Sequence, residues 1–154
     1  MKKINVLIIL PSNSIGGAEK VILSYFESFK NYKIKLSLVL TNNKYGSKLK
    51  KNLDVRQFNY SRFIFSIPKL ISIINKEKIH IVLSTFPNIS VTLILLKIIK
   101  LCRIKVIVRQ PNMIGPSLHS KTKLIILKYI YKRVIKYADA LIVTSKYMYN
   151  EALD

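Results

Sequence analysis

Cysteine is almost missing from this 154-residue chain, in which Cys102 stands alone. A single thiol forms no internal disulfide and no multi-cysteine metal site, which fits a reducing compartment. Acidic side chains are scarce too: 7, against 27 Lys and Arg, for a formal net charge of +20. So few carboxylates argue against the paired-acid chemistry of glycoside hydrolysis. An excess of this sign seeks a polyanion, either nucleic acid or an anionic bilayer. No apolar stretch reaches the ~20 residues of a membrane span; the longest, Ile89–Leu101, is interrupted by Lys97 and Lys100. The apolar run after Met1-Lys2-Lys3 leads to no small-residue cleavage site and reads as a first strand rather than a signal peptide. There are only two histidines. His80 sits at the start of an expected strand and His119 in a loop, so no Ser-His-Asp set, close carboxylate pair or metal cluster is visible.

What is present is a core. Half of the residues are hydrophobic, which excludes a disordered chain, and the length suits one domain that buries roughly two-thirds of its unfolded surface. Strand-like runs recur at Asn5–Leu10, Ile34–Leu40, Val55–Phe58, Ile79–Ser84, Ile104–Arg109 and Ala140–Thr144. Helical periodicity fills Gly17–Lys30, Ser66–Lys78, Asn88–Leu101, Ser120–Tyr137 and Lys146–Leu153. The strands are nearly continuous apolar runs, as expected of parallel strands covered on both faces. Strand–helix alternation then predicts an α/β fold, a Rossmann-like doubly wound parallel sheet. The polar, basic stretch Thr41–Asp54 is expected to be a surface loop or short exposed helix.

The first strand ends in a polar loop whose Gly16-Gly17 opens a helix carrying Glu19 in its first turn. Backbone N–H groups at such a turn face the carboxyl edge of the sheet, and glycine lets a diphosphate approach them. The glycines do not fit Gly-x-Gly-x-x-Gly, no acidic residue ends the second strand, and there is no Walker lysine. Nicotinamide and flavin enzymes are therefore disfavoured. On the same edge the other strands lead into Thr85, Phe86 and Asn88, into Arg109 and Asn112, and into Ser145. Arg109, directly after an apolar strand, could clamp phosphate with its guanidinium or staple a loop. Asn88 and Asn112 suit either a ligand or a cap. The segment Lys121–Lys136 reads as a basic amphipathic helix, with Lys128, Lys132 and Lys136 on one face, suited to anionic lipid or to plain solvation. No helix-turn-helix, zinc module or RNA-binding signature appears, so nucleic acid is not an expected partner.

These residues resemble the start of family 4 ("group 1") glycosyltransferases, of the GT-B superfamily. The resemblance rests on the first strand with Pro11 and Gly16-Gly17-Ala18-Glu19-Lys20, on Lys78-Ile79-His80-Ile81-Val82-Leu83-Ser84 with Asn88, on Val106-Ile107-Val108-Arg109, and on Ala138-Asp139-Ala140-Leu141-Ile142-Val143-Thr144-Ser145. It implies the N-terminal, acceptor-side domain of a two-domain enzyme that moves a sugar from a nucleotide-sugar donor to a glycan acceptor, without a catalytic metal or cofactor. Gly16 and Gly17 would approach the donor phosphates; Thr85, Phe86, Asn88, Arg109 and Ser145 would line the acceptor side. Many members have a histidine where Thr85 stands and His-Asn where Gln110-Pro111-Asn112 follow Arg109, so no catalytic residue is carried over. A subgroup acting on polyprenyl-diphosphate-linked sugars shows a similar turn after the fourth strand, which favours a lipid-linked acceptor in surface polysaccharide or glycoconjugate synthesis. The family's donor pocket, with paired glutamates, lies in a second domain of ~150 residues or more. These 154 residues are thus expected to be inactive alone and to need a C-terminal domain or partner subunit. A cytoplasmic place at the inner membrane face follows from the charge. The alternative is a non-catalytic, membrane-docking scaffold that recruits a partner glycosyltransferase.

Overall fold

A computed structural model describes residues 3–10, 17–29, 32–40, 54–58, 60, 63–110 and 122–153. Six strands, β1 (Ile4–Leu10), β2 (Ile34–Leu40), β3 (Val55–Gln57), β4 (Ile81–Ser84), β5 (Lys105–Gln110) and β6 (Ala140–Val143), follow the order β3-β2-β1-β4-β5-β6. Helices α1 (Gly17–Ser28), α2 (Ile67–Lys76), α3 (Pro87–Ile98), α4 (Thr122–Val134) and α5 (Lys146–Leu153) connect or follow them. β1 pairs in parallel with β2, β2 with β3, and β5 with β6. This is the α/β doubly wound arrangement that the alternation of runs predicts. Observed boundaries differ from the expected ones by up to three residues, because strand and helix ends fray into turns. The expected loop over 41–53 lies outside the described residues, as do Gly16, Asn112, His119 and Lys121.

The chain forms two compact units, Met1–Leu83 and Ser84–Asp154. In the first, β1 is central: Leu7, Ile8, Ile9 and Leu10 are all buried, so both of its faces are covered. Ile22 of α1, Val39 of β2 and Leu70 and Ile74 of α2 are buried in the same unit. Asn5 ties β1 to the end of α2 and the start of β4. Its backbone N–H donates to His80 Nδ1 (3.1 Å), its amide donates to Glu77 O (2.7 Å), and its carbonyl accepts from His80 N–H (2.9 Å). His80 is thus a structural acceptor. Arg56 on β3 pairs with Glu77 and lies 3.6 Å from Asp54, whose carboxylate accepts from the buried Ser37 hydroxyl at 2.8 Å.

In the second unit α3 packs against β5 and α4. Ile89, Leu93 and Ile94 of α3 and Val106 and Val108 of β5 are buried there, with Tyr131 of α4. Cys102 is buried too, and desolvation raises its thiol pKa, which keeps it an inert core residue. Glycine poverty leaves its mark on both helix ends. α2 and α3 terminate through left-handed lysines, Lys78 (φ 50°) and Lys100 (φ 59°), where glycine usually stands. Each is followed by the long return bond of a Schellman motif, from Ile79 N–H to Ile74 O and from Leu101 N–H to Leu96 O, both 3.0 Å.

Edge strand β6 is held by an aspartate. The Asp139 N–H donates to Val106 O (2.9 Å), while its carboxylate accepts from Val106 N–H (2.7 Å) and from Lys97 Nζ (2.6 Å). Partial burial works to raise the Asp139 pKa. The hydrogen bonds from Lys97 and Val106 and the charges of Lys97 and Lys105 outweigh it, and the carboxyl is held below its ordinary value.

Candidate functional site

The two-residue period of a strand decides which side chains share a face at the carboxyl ends of β4 and β5. Ser84, the last residue of β4, hydrogen-bonds the Ser90 hydroxyl of α3 at 2.7 Å, and Ser90 donates to Phe86 O at 2.9 Å. Ser84 therefore faces α3, and its neighbour Thr85 falls on the opposite face. On β5, Gln110 accepts a hydrogen bond from the Tyr131 hydroxyl of α4 at 3.3 Å. That places Gln110 on the helix-covered face and Arg109 on the other. Thr85, the residue after β4, and Arg109, near the end of β5, thus lie on one face of two strands adjacent in the sheet order.

Both are buried, Thr85 at 2% and Arg109 at 7% exposure, and both are short of partners. Thr85 Oγ1 and Arg109 Nη1 are buried and make no hydrogen bond. Gln110 Nε2 on the helix side is likewise unpartnered. Buried polar atoms normally find partners, and an arginine cannot shed its charge to escape the penalty. Asp139, the carboxylate of this unit whose side chain is described, does not answer it, being engaged by Lys97 and Val106.

The remaining candidates occupy simpler positions. Phe86 is the N-cap of α3, in extended conformation (φ −124°, ψ 136°), with Pro87 in the first turn and no side-chain cap. That locates the turn after β4 without a competing local acceptor. Asn88 is exposed, and its carbonyl accepts from the Thr92 hydroxyl at 2.9 Å. Ser145 caps α5, its Oγ accepting from Met148 N–H at 3.2 Å, a local job for a residue expected on the acceptor side. Gly17 begins α1 and Glu19 lies in its first turn, in the other unit. Gln110 was legible only as a departure from a family pattern; a polar residue inside a buried strand end was the available signal.

α4 differs from its sequence reading. Tyr131, Val134 and the following Ile135 turn inward, but Ile126, Tyr129 and Ile130 are exposed along with Arg133 and Lys136. The outer face is therefore apolar and cationic at once, not a lysine face with every aliphatic residue opposite. Arg133 lies over the Tyr129 ring (5.2 Å) and Lys136 over the Tyr137 ring (5.3 Å). This helix packs on α3, while Ile126 and Ile130 lie outside.

Among solved structures, the chain is similar to the apo form of the lipopolysaccharide outer core galactosyltransferase WaaB. The match covers 98% of this chain with a TM-score of 0.72 at 17% identity. The fold is that of a Rossmann-like GT-B half-domain. The chain spans 41% of the WaaB chain. The pyridoxal kinase of Entamoeba histolytica with PLP (TM-score 0.47, 18% identity, 92% of this chain and 51% of that one) superposes too loosely to carry an argument. The same holds for the homoserine dehydrogenase of S. aureus (TM-score 0.44, 12% identity, 93% of this chain and 33% of that one). No protein-family model matches the sequence, and no curated protein matches it. Among the described residues, no helix is long and apolar enough to cross a membrane, and no group of His, Cys, Asp and Glu could hold a metal ion.

Proposed function

We propose that these residues form the acceptor-binding half of a family 4 glycosyltransferase that moves a sugar from a nucleotide-sugar donor to a lipid-linked glycan in surface polysaccharide or glycoconjugate synthesis. The observation that carries the reading is the superposition of nearly the whole chain on one part of a galactosyltransferase. The ordered motifs around Gly16-Gly17, Asn88, Arg109 and Ser145 support it. In this reading the Gly16-Gly17 turn meets the donor diphosphate, Thr85 and Arg109 belong to the acceptor side, and the donor's nucleotide is held by a domain or subunit beyond these residues. Transfer then requires both halves.

The charge supports a place at the anionic inner face of the cell membrane. The exposed stripe of α4 pairs Ile126, Tyr129 and Ile130 with Arg133 and Lys136, the mixture that lies in a headgroup layer, apolar groups inserted and cations at the phosphates.

Calorimetry on the 154-residue chain tests the division of labour. Detergent-solubilised polyprenyl-diphosphate-N-acetylglucosamine should give saturable binding, and UDP-galactose at modest concentration no heat. Tight binding of the nucleotide sugar without the lipid would overturn the reading. Binding of neither, with capture of an intact glycosyltransferase, would favour the scaffold alternative.

A further inference from the structure

We infer that Arg109 and Thr85 form an anion site, and that the acceptor reaching it carries a phosphate or carboxylate close to the hydroxyl that receives the sugar. The identity of the ligand as an acceptor rests on the proposed function; the anion site itself does not. Three observations converge. The guanidinium is buried at 7% exposure with Nη1 unpartnered. Strand alternation puts the equally unpartnered Thr85 hydroxyl on the same face at the end of the adjacent strand. The carboxylates whose side chains are described are engaged elsewhere, Asp54 and Glu77 with Arg56 and Asp139 with Lys97.

A buried charge without a counterion destabilises the fold that holds it. Such an arginine is retained where a ligand supplies the missing charge. Here Nη1 of the guanidinium has already lost its water in the free protein. An arriving oxyanion therefore gains a charge-assisted, fork-shaped contact without having to strip the cation first. The Thr85 hydroxyl adds a directional donor. Gln110, one residue on but facing α4 and held by Tyr131, is excluded from the pair by the strand pleat. The preference is for a planar or tetrahedral oxyanion, phosphate or carboxylate, rather than a neutral sugar hydroxyl.

The test uses the 154-residue chain in buffer of constant, near-physiological ionic strength, with sodium pyrophosphate and sodium glucuronate as separate probes. Calorimetry should show one saturable site for at least one of them. Pyrophosphate binding assigns the site to a phosphorylated acceptor, and glucuronate binding to an acidic sugar. Arg109→Met should weaken binding more than tenfold. It should also melt at the same temperature as wild type or higher, because it removes an uncompensated buried charge; a merely structural arginine would give a lower one. Thr85→Val, nearly isosteric, should fold and weaken binding about three- to tenfold, the worth of one hydroxyl hydrogen bond. Arg103→Gln, an exposed cation, should leave affinity unchanged. The site is overturned if neither probe binds, if Arg103→Gln costs as much as Arg109→Met, or if Thr85→Val and Arg109→Met both bind like wild type. Pyrophosphate binding without glycolipid binding would sink the glycosyltransferase reading and leave the site intact; glycolipid binding with neither probe bound would do the opposite.

Discussion

Asp139 should be worth more than its exposed position suggests. Its carboxylate does two things at once: it pairs with Lys97 at 2.6 Å and accepts the Val106 N–H at 2.7 Å. The Lys97 and Asp139 side chains are each 29% exposed, so the ion pair is counted near the surface value, up to about 1 kcal/mol. Val106 is fully buried, and an amide left there without an acceptor costs about 1–3 kcal/mol. Asp139→Ala removes both and should destabilise by about 2–3 kcal/mol. Asp139→Asn keeps an acceptor for Val106 and should lose about 1 kcal/mol or less. Lys97→Met should resemble the asparagine variant.

Urea denaturation of the three variants, with the Lys97→Met/Asp139→Ala double mutant closing the cycle, separates the contributions. Acid supplies a second check. The Asp139 pKa is lowered in the folded state, so its stabilisation is complete above the unfolded carboxylate value of about 3.9. It is lost as pH falls through the depressed folded value, and wild type should there approach Asp139→Asn, because a protonated carboxyl, like the amide, still offers Val106 N–H an oxygen. Equal stabilities of the alanine and asparagine variants at neutral pH, or a gap between wild type and Asp139→Asn that widens on acidification, would refute this account of how β6 is pinned to β5.

Two further outcomes are expected. Lys100→Gly should stabilise the protein by about 0.5–1 kcal/mol, since the left-handed conformation strains lysine by ~1–2 kcal/mol and glycine's extra unfolded-state entropy returns only part of that; a lower melting temperature would contradict it. Replacing Ile126, Tyr129 and Ile130 together by serine should abolish sedimentation with phosphatidylglycerol vesicles while leaving the circular dichroism unchanged. Wild type should not sediment with neutral phosphatidylcholine vesicles, and equal binding to both lipids would remove the proposed electrostatic component.

Much of the fold was legible because its signals are local. Apolar runs at 5–10, 34–40 and 140–144 carry enough β-branched and aliphatic residues to declare strands, and the observed strands begin or end within a residue or so of them. Pro68 and Pro87 sit in the first turns of α2 and α3, where a missing N–H does no harm. Arg109 was legible as a candidate because a charge ends an apolar run. Its want of a partner was not, because pairing depends on what other segments bring within hydrogen-bonding distance.

Composition and periodicity alone determined the layered α/β class, the strong positive charge and the position of most helices and strands. Tertiary structure alone decided that Ser145 is a helix cap, that Lys78 and Lys100 turn left-handed, and that α4 keeps Ile126, Tyr129 and Ile130 outside. It also decided that Thr85 and Arg109, rather than Gln110, share one face of the sheet. Propensity acts between neighbours along the chain, whereas burial, pairing and the orphaning of a charge are set by residues distant in sequence.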